Sequence, residues 1–105
     1  MNKRDLNIER LIRKNISEID PSAEVILYGS RARGDQRVGS DWDILVLTEY
    51  PADIKVERDF RNHLYELELQ TGEVFSLFVY SKHDWITRQK ITPFFHNVTQ
   101  EGIRL

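Results

Sequence analysis

Two short apolar runs held apart by a polar stretch constrain this chain most. Val25-Ile26-Leu27-Tyr28 and residues 42–48 (Trp-Asp-Ile-Leu-Val-Leu-Thr) enclose Gly29–Ser40, a segment with three glycines and four charged residues. A continuous run of four apolar side chains fits a strand buried on both faces, and the second run fits its neighbour. A polar loop fixed at both ends by buried strands usually carries function.

The flanking sequence supplies the layers. Ile8, Leu11, Ile12, Ile16 and Ile19 recur at helical spacing over residues 2–19, and Asp20-Pro21 ends that helix because proline disfavours helical geometry in the residue before it. Pro51 separates the second strand from a helix over about 52–71, whose Val56, Phe60, Leu64 and Leu67 share a face and whose Gly72 stands at the C-terminal cap position. Val74–Tyr80, rich in β-branched and aromatic residues, predicts a third strand. Ser81–Asp84 can cap a helix over 84–90, and Thr92-Pro93 opens a last short one. The order α-β-loop-β-α-β-α-α, with helices enough for one face of a sheet, predicts an α/β or α+β sandwich.

With 105 residues the chain fits one domain, 1–105, and any site must be built within it. The balance of 15 basic and 17 acidic residues leaves a net charge of −2, so no basic field draws the chain to nucleic acid. No window approaches a membrane span, and Met1–Asp5 lacks the apolar run of a signal peptide. Zero cysteines exclude thiolate metal sites and disulfides and suit the cytoplasm, while His63, His83 and His96 lack the spacing of a zinc cluster.

The loop and the strand after it divide into two half-motifs. At the end of a buried strand, Gly29 permits a sharp turn and close backbone approach, and Ser30 with the amides after it can open a helix whose positive end receives phosphate. In the second half, the strand period of two sends Asp41 and Asp43 to one face and Trp42 and Ile44 to the other. Two adjacent carboxylates need a cation, and hard oxygen donors sharing it with phosphate favour magnesium, with manganese as a substitute. A phosphate cradle beside a metal-binding pair describes metal-assisted chemistry on a nucleoside triphosphate.

Gly29-Ser30, ten intervening residues and Asp41-x-Asp43 resemble the signature of the polymerase-beta-like nucleotidyltransferases. The longer pattern, Gly-Ser-x-Ala-Arg-Gly followed by Ser-Asp-x-Asp-Ile, is similar to that of the minimal nucleotidyltransferases of bacteria and archaea. The resemblance spans most of the chain. It implies a small mixed sheet flanked by helices, with Gly29, Ser30 and Arg31 on the nucleotide and Asp41 and Asp43 as catalytic metal ligands. It also implies transfer of a nucleoside monophosphate, AMP from ATP, to a hydroxyl. In many such systems the protein is an antitoxin whose partner is a small helical toxin; a homo-oligomer is the other assembly considered. One feature departs from the family pattern. The third carboxylate, expected on the strand beside Asp-x-Asp, is absent from Val74–Tyr80, leaving Ser76 at the expected position and Glu73 as the nearest acid. The alternative is therefore a binding module of this fold, weak or inactive in transfer, that neutralises its partner by forming a complex.

Beside these, Arg33 either reaches the triphosphate or bridges Asp35 or Asp41 to stiffen the loop, and Ser40 is read as a turn residue. Trp42 and Trp85 are read as core anchors.

Overall fold

The computed structural model describes residues 2–105. Helix α1 (Lys3–Ile19) starts where the Asn2 side chain accepts the Asp5 N–H at 2.8 Å and stops at Asp20. Strand β1 (Glu24–Tyr28) leads through a single turn of helix, α2 (Ser30–Arg33), and the remaining loop to strand β2 (Trp42–Thr48). Helix α3 (Ile54–Thr71) is capped by Asp53, whose carboxylate accepts the Val56 N–H at 2.9 Å, so it begins two residues later than the periodicity suggests. It ends at Gly72, and strand β3 (Phe75–Ser81) follows.

Ser81 closes β3 and at once caps helix α4 (Lys82–Thr87) by accepting the Asp84 N–H at 3.0 Å. The helix expected over 84–90 is thus shifted back, and residues 89–91 form a separate 3-10 turn. Thr92 and Pro93 open helix α5 (Pro93–Glu101) as expected.

Sheet order is β3-β2-β1-β4, where β4 (Ile103–Arg104) is a short strand that periodicity did not reveal. β2 runs antiparallel to β1 and parallel to β3, with α3 as the crossover that parallel pairing requires. β4 pairs antiparallel with β1 through Leu27–Ile103, and Leu105 N–H adds a bond to the Val25 carbonyl at 2.8 Å.

One face of the sheet packs Leu27, Trp42, Ile44 and Leu77 against Ile8, Ile12 and Ile16 of α1 and Phe60, Leu64 and Leu67 of α3. The other face is not bare, contrary to the single covered face expected. Leu45 and Leu47 are buried there under Trp85 of α4 and Val98 of α5, with Tyr28, Tyr80, Phe94 and Phe95 at the margin. Among the described residues, no helix is long and apolar enough to cross a membrane.

Candidate active site

Strand parity builds the site. Trp42 and Ile44, both 0% exposed, face the α1/α3 core, which turns Asp43 to the opposite face. Trp42 N–H donates to the Val74 carbonyl at 2.8 Å, fixing where β2 begins and leaving Asp41 exposed just outside it. The register then places Tyr28 of β1 and Ser76 of β3 directly beside Asp43, so these three form a row across the sheet on one face.

The loop closes on this row from β1. Gly29 has φ +74° and ψ −157°, a conformation that side chains avoid, and a Cβ there would collide with the Asp43 carboxylate. The close approach that the sequence assigns to a ligand is made first of all to Asp43. The helix expected after Gly29 is only Ser30–Arg33, one turn stopped by Gly34 in the left-handed region. Its macrodipole is correspondingly slight, and the cradle consists of turn amides with Ser30 half-buried at their start.

The two arginines differ in placement. Arg31 is buried, 7% exposed, and its Nε and Nη2 donate to the Ser40 carbonyl at 3.1 and 2.9 Å. Its guanidinium carbon lies 4.3 Å from the centre of the Trp42 ring, and Nη1 is 3.7 Å from Asp5. Every arm of this fork thus engages the protein itself, joining the end of the loop at Ser40 to Trp42 and to Asp5 of α1. Arg33 is exposed, and its Nε donates to Asp35 at 3.1 Å. Ser40 keeps its turn role, with Oγ accepting the Arg37 N–H at 2.8 Å.

Of the two candidates for the third acid, Glu73 has the parity of buried Phe75, and its carboxylate lies 3.5 Å from Arg4 of α1 with 14% of the side chain exposed. It therefore lies toward the α1/α3 face, away from Asp43. Ser76 occupies the position beside Asp43.

An acid that sequence reasoning missed reaches the site from the other side. Glu101, the last residue of α5, accepts the Gly29 N–H on Oε1 at 3.1 Å and takes Arg33 Nη1 at 3.0 Å on Oε2 and 3.3 Å on Oε1. Nothing local in the sequence marks it; the signal lies in the pairing of β4 with β1, which brings the C-terminal segment to Gly29.

These charges shape the pair. Burial raises the Asp43 carboxyl above the usual carboxylate range, Asp41 and Glu101 raise it further, and only Arg33 opposes them. The Tyr28 hydroxyl is raised in the same way, by burial first and then by Asp43 and Tyr80. Among the described residues no group of three or more His, Cys, Asp or Glu side chains could hold a metal ion. Asp41 and Asp43 fit magnesium as a partial donor set of hard oxygens, short of positive charge, whose remaining ligands must come from phosphate oxygens or water.

Several solved structures share this fold. The chain is similar to a crystal structure of the toxin–antitoxin pair MntA–HpeT carrying a tyrosine-to-alanine change (23% identity, 92% of this chain and 70% of that one, TM-score 0.66). A variant of the same pair with two aspartates changed to glutamate matches at 21% identity over 91% of this chain and 70% of that one, TM-score 0.66. A toxin–antitoxin structure with AMP-PNP matches at 22% identity over 98% and 72%, TM-score 0.61. Among curated proteins none matches the chain. The model of the nucleotidyltransferase domain matches residues 9–103, spanning both half-motifs and Glu101, and the chain belongs to that family.

Proposed function

We propose that residues 1–105 form one nucleotidyltransferase domain that transfers a nucleoside monophosphate, AMP from ATP, to a hydroxyl of a partner protein with magnesium or manganese as cofactor. The observation that carries this reading is the half-buried Asp43, raised by its own burial and by Asp41, with its carboxylate against Gly29 at the mouth of the loop. Such a pair is short of positive charge in the free protein and complementary to a metal–triphosphate. Gly29, Ser30 and Arg31 hold the nucleotide, Asp41 and Asp43 fix the metal, and the acceptor approaches along the Asp43–Ser76 side of the row. Asp41 and Asp43 would hold magnesium, which would supply positive charge to offset that of the triphosphate. The acceptor oxygen bonds to the α-phosphorus as the bond to pyrophosphate breaks, and the acceptor's proton passes to solvent. A cytoplasmic site of action suits a chain without cysteine.

The likeness to toxin–antitoxin structures, one of them with AMP-PNP, favours a protein acceptor, a small helical toxin, over nucleic acid. The net charge of −2 points the same way. A second reading is favoured by one observation: Ser76, not a carboxylate, stands beside Asp43. On that reading the domain binds its partner and nucleotide with little turnover, alone or as a homo-oligomer.

The test is incubation of the chain and its co-purifying partner with ATP and magnesium, followed by intact-mass measurement of the partner. Nucleotidylated partner with wild type and none with Asp41→Asn/Asp43→Asn supports transfer. Unmodified partner that still forms a tight complex supports the binding module. Metal-dependent ATP binding that survives the double substitution would reject the site altogether.

A further inference from the structure

The donors that would receive a nucleotide phosphate already hold an anion, and it belongs to the chain itself. We infer that Glu101 is a built-in occupant of the phosphate end of the cleft: its carboxylate takes the Gly29 N–H and the Arg33 guanidinium in the free protein and yields them to a phosphate group of the incoming nucleotide. This rests on the nucleotide reading above and adds a residue that sets affinity.

Position within the sheet separates this role from that of a missing third acid. The third-acid position is Ser76, on the β3 side of Asp43. Glu101 arrives from beyond β1, where β4 pairs with Leu27 and Ile26, so Asp43 and Tyr28 lie between it and Ser76. Its partners are donors, a backbone N–H at 3.1 Å and a guanidinium at 3.0 Å, which are what a phosphate oxygen also seeks. Arg33 has one other ion-pair partner, Asp35 at 3.1 Å, so the face it turns to Glu101 is the face a ligand can take. Asp35 and Glu101 are both paired with Arg33, and a phosphate that takes the Gly29 N–H together with this guanidinium displaces Glu101.

The backbone allows a side-chain exchange without unfolding. Gly102 N–H is held by the Val98 carbonyl at 2.7 Å, and Ile103 is paired to Leu27, so the main chain on either side of Glu101 is fixed. Its side chain is 20% exposed and can swing to water.

The experiment is calorimetric titration with inorganic tripolyphosphate, without metal and at constant ionic strength, into wild type, Glu101→Gln, Glu101→Asp and Glu101→Gln/Arg33→Met. Removing the competing charge should tighten binding by on the order of ten-fold in Glu101→Gln, the size of one charge-assisted hydrogen bond discounted for partial exposure. Glu101→Asp, which withdraws the charge by one methylene, should fall between, and adding Arg33→Met should reverse the gain. Should Glu101→Gln and Glu101→Asp both bind no tighter than wild type, the proposal is overturned, and Glu101 is a support for the turn. Failure of the nucleotidyltransferase reading shows elsewhere: ATP with magnesium would bind Asp41→Asn/Asp43→Asn as well as wild type, while the metal-free ranking stays unchanged.

Discussion

Substituting Gly29 by alanine tests the geometry of the site most directly, because two costs meet at one atom. The backbone at φ +74° and ψ −157° lies in a region essentially reserved for glycine, where another residue costs about 1–3 kcal/mol. The added Cβ also meets the Asp43 carboxylate, with Asp43 Cγ only 3.0 Å away. Asp43 must then rotate off its preferred geometry, which adds about 0.5–1.5 kcal/mol. The sum is roughly 2–4 kcal/mol, and at 4–8 °C per kcal/mol for a domain near this size the melting temperature should fall by about 8–32 °C. Gly39→Ala is the internal control: its φ is +82°, yet a Cβ there meets nothing within 4 Å, so it carries backbone strain alone. Urea unfolding followed by circular dichroism, in EDTA, gives both values. Gly29→Ala should cost more than Gly39→Ala, because only there must Asp43 move. If the two variants lose the same stability, or Gly29→Ala loses less than about 1 kcal/mol, the turn is not pressed against Asp43 and the site is assembled otherwise.

Two further outcomes are expected. Arg31→Lys should lower stability by about 2 kcal/mol through loss of the forked bonds to Ser40 and the stacking on Trp42, and weaken ATP binding with it; a loss of stability with ATP affinity unchanged would take Arg31 off the nucleotide. Ser76→Asp sets a carboxylate beside Asp43 on the neighbouring strand, so in EDTA it should cost roughly 0.5–1 kcal/mol by like-charge repulsion. With magnesium and ATP it should bind several-fold tighter than wild type, and a stability loss with no gain in metal-dependent binding would rule out this register.

How much of the molecule is legible in its sequence follows from the range of the interactions involved. The helices and the three long strands are written in local periodicity, because Ile8, Ile12 and Ile16 or Phe60, Leu64 and Leu67 need only a common face to be recognised. The start of α4 escaped because Ser81 serves β3 and the helix cap at once, and periodicity has no rule for a residue shared by two elements. Parity alone separates Asp43 from Trp42, so the face of the site follows once β2 is recognised. The partner of Asp43 does not, since it depends on the register of a parallel pairing across an 18-residue crossover helix.

The roles of the charged residues are the least legible, because each is decided by a group remote in sequence. Arg31 and Arg33 sit two apart on one turn, yet one is buried over Trp42 and bonded to the Ser40 carbonyl, while the other is exposed. What separates them is α1, whose Asp5 draws Arg31 inward, and α5, whose Glu101 engages Arg33 across 68 positions of chain. Glu101 in turn reaches Gly29 because a two-residue strand at the C-terminus pairs with β1, an element too short for any pattern to announce. The short half-motifs therefore identify the chemistry, whereas the balance of charge around them is set by Asp5 and Glu101, remote from them in sequence. Changing the C-terminal segment should alter nucleotide affinity while leaving Gly29, Ser30, Asp41 and Asp43 untouched.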